Sequence, residues 1–115
     1  MTNNKNCTKY YSNRQEKNIA KTLHGKLTPG SGCTDFIKGD VQVENILIEA
    51  KTCMEPKESF SIKKKWLTTL KEEMYAMNKD YRALCFDFGD NKDRYYIIDE
   101  NTFKEFIFLM KDWEY

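Results

Sequence analysis

The sequence predicts a mixed α/β (α+β) domain, and three observations predict it. Three stretches, at about 12–24, 61–78 and from 102 onward, place apolar residues at helical spacing. Runs at about 41–50, 82–88 and 94–99 instead alternate with period two or concentrate aromatic and β-branched residues, as strands do. No linker, internal repeat or low-complexity tract divides the 115 residues, so one domain with one main site is expected over 1–115, with 1–11 a polar, frayed lead. At 40% hydrophobic and 32% charged, the composition is that of a folded globular chain.

Composition also excludes several functions. The start, Met1-Thr2-Asn3-Asn4-Lys5-Asn6, lacks the apolar core of a signal peptide. The longest apolar run, Phe106 to Met110, is too short to cross a bilayer, so a cytoplasmic protein without membrane contact is expected. Cys7, Cys33, Cys53 and Cys85 form no Cys-x-x-Cys pair and His24 is the only histidine, which argues for reduced thiols and against structural zinc. A net charge of +1 excludes a strongly basic polyelectrolyte and leaves room for a local basic face.

The first helix starts at a capping box, Ser12 with Gln15, and stops at Gly25. Ile19, Ala20 and Leu23 form its apolar face, with Arg14, Lys17 and Lys21 outside. Glu16 falls on the apolar face too, either solvated at the stripe's edge or pointed into a site. Residues 26–33 form a turn in which Gly30 and Gly32 flank Ser31. Glycines there let backbone amides approach a phosphate, although alone the loop reads as a connector. Val41, Val43, Ile46, Ile48 and Ala50 then make one apolar strand face if the chain turns back at Glu44-Asn45.

Past a polar link containing Pro56, the second helix carries Ile62, Trp66, Leu70, Met74 and Met77 as its core stripe. Lys63, Lys64 and Lys65 sit in its first turn, where cations oppose the helix dipole. They are a solvated charge run or a phosphate-binding corner. Arg82–Phe88 and Arg94–Asp99 read as a hairpin. The last helix follows from a second capping box, Thr102 with Glu105, and is expected to bury Phe103, Phe106, Ile107 and Met110. Phe108, Leu109 and Trp113 fall off that stripe, which suggests a partner surface.

The 41–51 hairpin concentrates the chemistry. A two-residue turn at Glu44-Asn45 sets Val41 across from Ile48 and Asp40 across from Glu49, with Lys51 on the same face as both acids. Opposed carboxylates repel unless a cation or shared proton relieves them, and hard oxygen ligands suit Mg²⁺, with Mn²⁺ as a substitute. The backbone carbonyl of Ala50 is a further ligand candidate. Lys51 can hold or help deprotonate a water attacking a phosphate. The reaction class is metal-assisted phosphodiester hydrolysis, with no organic cofactor. Asp35 competes for the first carboxylate role, but in a continuous strand it faces the other way.

Asp40, Glu49 and Lys51 in this setting resemble the signature of the PD-(D/E)xK nuclease superfamily. The wider run, Gln15-Glu16-Lys17, Pro29-Gly30-Ser31-Gly32, Lys38-Gly39-Asp40-Val41, Leu47-Ile48-Glu49-Ala50-Lys51-Thr52 and the helix from Ser61, resembles phage-encoded Holliday junction resolvase-like proteins over about residues 12–88. The resemblance implies a restriction-endonuclease-like fold, a central mixed sheet of about four to five strands flanked by helices, and a homodimer acting on branched DNA. It also implies Glu16 assisting the metal site, Ser31 near the phosphate, Asp40 and Glu49 on the metal, and Lys51 as the catalytic lysine. Gly39 stands where the superfamily name has proline, and Cys53 where threonine is expected. The rival readings are a nuclease for nicks, flaps or ends, a non-catalytic nucleic-acid-binding module, and a small dimeric interaction protein.

Overall fold

The computed structural model describes residues 8–28, 40–53, 55–89 and 93–113. It is an α+β fold with one five-stranded mixed sheet and three helices. The order along the chain is α1 (Thr8–Leu23), β1 (Lys26–Leu27), β2 (Val41–Val43), β3 (Ile46–Lys51), α2 (Lys64–Ala76), β4 (Tyr81–Phe86), β5 (Tyr95–Ile98) and α3 (Glu100–Trp113). In the sheet the strands also lie β1-β2-β3-β4-β5; β3 and β4 are parallel, joined across α2, and every other pair is antiparallel. A parallel pair needs a crossover connection, and α2 is that connection.

The 41–48 hairpin forms in the expected register, with Val41 opposite Ile48 and Val43 opposite Ile46. Its turn takes a positive φ of 50° at Glu44. Alternation along β3 separates two cores. Ile48 and Ala50 join Val41, Ala83 and Cys85 under Ile19 of α1, with Ala20 and Leu23 alongside. Leu47 points the other way and is buried with Leu70 and Met74 of α2, with Met77 beside them. Both faces of β3 are therefore covered, and the face shared by Glu49 and Lys51 is not simply polar. Gly25 follows α1 where a Cβ would meet Val43 Cγ2 at 2.6 Å and Gln42 O at 2.7 Å, so the α1–β2 approach needs a glycine.

Several boundaries differ from expectation. α1 begins at Thr8, so 8–11 are helical, and Gln15 lies mid-helix as a buried residue rather than closing a capping box at Ser12. His24 takes the left-handed φ of 57° at the C-terminus, and the amide of Gly25 donates to Ala20 O at 2.9 Å. α2 begins at Lys64, with Lys63 at the N-cap and no side chain capping it. β4 and β5 each end short of the expected limits. α3 begins at Glu100, before Thr102, and the amide of Phe103 donates to Asp99 O at 3.0 Å. Most consequentially, the stripe expected to be buried on α3 is not. Phe103, Phe106, Ile107, Phe108, Leu109 and Met110 are all exposed, from 37% at Ile107 to 64% at Phe108 and Met110. Helical periodicity identified the apolar residues but not what would cover them.

Candidate active site

The site lies where β2 leaves β3. The regular ladder stops at Val41↔Ile48, and Asp40 is attached differently from the strict opposition that the register implied. Its amide donates to Ile48 O at 2.9 Å, and the amide of Ala50 donates to Asp40 Oδ2 at 2.8 Å. Ala50 thus contributes its N–H to the site, holding the Asp40 carboxylate against β3. That carboxylate remains within hydrogen-bond reach of the side chain of Glu49. A hydrogen bond between two carboxyls requires a proton on one of them. Burial first, and then the Asp40 hydrogen bond and charge, push the Glu49 carboxyl far above its ordinary range, while Lys51 pulls it part of the way down.

Asp40 lies just before β2, and its charge acts on acids of both helices that flank the sheet, Glu16 of α1 and Glu73 of α2. Glu16 of α1 is half-buried, and its carboxyl is raised to about 8 by burial and by the Asp40 charge. Sequence reasoning left Glu16 open between a solvated edge and a site; the structure brings it to Asp40. What fixes it there is its neighbour. Gln15 is fully buried, and its Nε2 donates to Lys51 O at 2.7 Å and to Asp87 Oδ2 at 3.0 Å. Asp87, also fully buried just past β4, accepts further from Thr52 Oγ1 at 2.7 Å and from the Gly89 amide at 2.7 Å. Gly89 has φ 100° and packs on the backbone of Glu55, which pins the 55–57 link beside this network. α1, β3 and β4 are thereby locked together one residue from the acids. Sequence reasoning missed Gln15 and Asp87 because their roles appear only across 36 and 72 residues of chain.

Lys51 ends β3 with its Nζ 4.6 Å from the centre of the Trp66 ring, and Lys63 Nζ lies 5.7 Å from the same ring. The indole face restrains the Lys51 ammonium electrostatically while leaving its donors available. Trp66 is itself braced: Phe60 lies 6.2 Å from it, and Phe60, Phe86, Phe88 and Tyr95 continue as one cluster with centroids 5.2–5.7 Å apart. Lys63 thus shares the Trp66 ring with Lys51, and Lys64 and Lys65 follow it, exposed, at the start of α2. Gly30, Ser31 and Gly32, like Asp35, lie outside the described residues.

One acid was not anticipated. Glu73 of α2 is 6% exposed, and both its carboxylate oxygens are buried without a hydrogen-bond partner. Its carboxyl is raised to about 7 by burial and by Asp40, against a lowering influence from Lys51. A Glu on a Trp-Leu-Met stripe is a readable anomaly, since the residue sits at helical spacing from Trp66 and Leu70.

The chemistry of the donor set is compatible with a hard divalent cation, since Asp40, Glu49 and Glu73 offer carboxyl oxygens. The Asp40–Glu49 pair needs positive charge or a proton between its carboxyls, and the buried, unpartnered oxygens of Glu73 lie on the same side. Among the described residues no three acidic, His or Cys side chains stand at direct metal-ligand geometry. Mg²⁺ does not demand that, because it keeps several waters and binds through one or two carboxylates together with phosphate oxygens. Among the described residues no helix is long and apolar enough to cross a membrane. Set against models of known families, curated proteins and solved structures, the chain matches none.

Proposed function

We propose that this chain is a metal-dependent DNA endonuclease of the PD-(D/E)xK type, selective for branched DNA in the manner of a Holliday junction resolvase and working in the cytoplasm. The observation that carries this reading is the Asp40 carboxylate held against β3 by the Ala50 amide at 2.8 Å, beside Glu49 and with Lys51 two residues further on, 4.6 Å from the Trp66 ring. Asp40 and Glu49 would hold Mg²⁺ or Mn²⁺, which would polarise the scissile phosphate and lower the pKa of a bound water. Lys51 orients the attacking water and neutralises charge developing on the phosphate. Glu16 adds negative charge on the α1 side. The Ala50 amide keeps the Asp40 carboxylate oriented through the bond to Oδ2. Lys63, Lys64 and Lys65 bind phosphates and so position DNA without reading its sequence.

A junction demands two cuts related by a two-fold axis, which a C2 dimer supplies. α3 is the surface we assign to the second copy, because it presents six exposed large apolar side chains and follows directly on β5, the edge strand of the sheet. The test is a cleavage panel over four-way junctions, flaps, nicked duplex and linear ends with Mg²⁺ or Mn²⁺. Cleavage lost in Glu49→Gln and Lys51→Ala variants that remain folded supports the assignment. Measurable DNA binding with no metal-stimulated cleavage of any substrate would favour a non-catalytic binding module. No salt-dependent DNA affinity at all would leave an interaction protein.

A further inference from the structure

Glu73 has no place in the PD-(D/E)xK pattern, yet it is the least compensated polar group among the described residues. Leaving a carboxylate buried without a partner is strongly unfavourable if it ionises, so an unpartnered acid needs a reason. Its location supplies one. Along β3, Lys51 meets Trp66 while Leu47 meets Leu70 and Met74. The four steps from Leu47 to Lys51 span about 13 Å and the eight steps from Trp66 to Met74 about 12 Å, so α2 runs alongside β3, and Glu49 faces the middle of this stretch. Successive helix residues point about 100° apart, so Glu73 and Met74 lie on different flanks of that packing. The Met74 flank, with Lys71 and Tyr75, lines a groove together with Tyr81, Arg82 and Asp99 towards β4, β5 and α3. Glu73 occupies the opposite flank, towards β2, where Asp40 stands.

We propose that Glu73 is a further cation-holding residue of this site, facing Asp40 and Glu49 from α2 and binding the divalent cation through one of its waters. The inference rests on the metal-dependent reading above. Glu16, Asp40, Glu49 and Glu73 give this site four carboxyl groups, hard oxygen donors of the kind a divalent cation takes. The two buried oxygens of Glu73 then gain the partner that the protein does not give them.

The test is Mn²⁺ binding to the full chain, followed by calorimetry and by the paramagnetic resonance of free Mn²⁺, for the wild type, Glu73→Gln, Glu73→Asp and Glu49→Gln, with folding checked by circular dichroism. Glu73→Gln is expected to weaken Mn²⁺ binding at least tenfold while folding without metal at least as well as the wild type, and Glu73→Asp is expected to restore part of the affinity. Unchanged Mn²⁺ affinity in Glu73→Gln, alongside loss in Glu49→Gln, overturns the role of Glu73 and leaves the nuclease reading standing. A wild type that binds no Mn²⁺ overturns both. Should Glu73→Gln fail to fold, Glu73→Asp decides: a shorter carboxylate that binds Mn²⁺ as tightly as the wild type overturns the proposal, and weaker binding supports it.

Discussion

Replacing Glu49 by Gln should make the metal-free protein more stable, increasingly so as pH rises. In the unfolded chain Glu49 ionises near its ordinary value of 4.5, whereas in the fold burial and Asp40 hold the proton on it. A carboxyl whose pKa is raised by folding contributes stability at low pH and loses it as pH climbs, because the unfolded state releases a proton that the native state must keep. Gln never ionises, and its amide N–H can donate to Asp40 as the protonated carboxyl does. The variant therefore removes the pH penalty and keeps the hydrogen bond. Each pH unit above the unfolded pKa is worth about 1.4 kcal/mol, so the gap should grow from about 1 kcal/mol at about pH 5 to about 4 kcal/mol by about pH 7.5. Glu16 and Glu73 remain in both proteins and largely cancel in the difference. Urea unfolding of both proteins in EDTA across that range measures it. Stability curves that stay parallel would show that Glu49 is not held protonated against Asp40. Adding Mg²⁺ should reverse the order at high pH, since the cation binds the ionised pair and stabilises only the wild type.

Three other outcomes follow from particular residues. Asp87→Ala should destabilise the fold by about 3 kcal/mol, because it strands buried donors from Gln15, Thr52 and the Gly89 amide; a change below about 1 kcal/mol in urea unfolding would contradict that role. Replacing Lys63, Lys64 and Lys65 together by Ala should weaken DNA binding and flatten its dependence on salt, by about 0.9 in log–log slope for each phosphate that is no longer neutralised. An unchanged slope would remove them from the DNA surface. Phe106→Arg with Leu109→Arg should convert a dimer into a monomer in sedimentation, as each apolar side chain contributes about 1.5–3 kcal/mol when buried; a wild type that is already monomeric at high concentration would refute the α3 interface.

The hairpin was legible because its information is local. Period-two alternation and a two-residue turn fix which residues oppose which, and Val41↔Ile48 followed from counting alone. Asp40 departed from the same count because its amide turns to Ile48 O, the residue already paired with Val41, and its carboxylate takes the Ala50 amide. No spacing rule describes a carboxylate replacing a ladder bond. The helix starts failed for a related reason. Ser12-x-x-Gln15 and Thr102-x-x-Glu105 look like capping boxes, but both lie inside helices that begin earlier, and Gln15 is committed to Asp87 and Lys51 instead. α3 marks the boundary between pattern and packing: periodicity finds an apolar face, while burial depends on what lies opposite, which among the described residues is solvent. Glu73 was visible as an odd acid on an apolar stripe, and its meaning came only when β3 was laid against α2.

The most direct measurement of the central claim is cleavage of a synthetic four-way junction by the purified protein with Mg²⁺, beside Glu49→Gln and Lys51→Ala variants verified as folded. The Asp40–Glu49–Lys51 centre predicts paired incisions in the wild type, none in EDTA, and a loss of at least about a thousandfold in both variants. Junction cleavage that persists in either folded variant, or in EDTA, would contradict it.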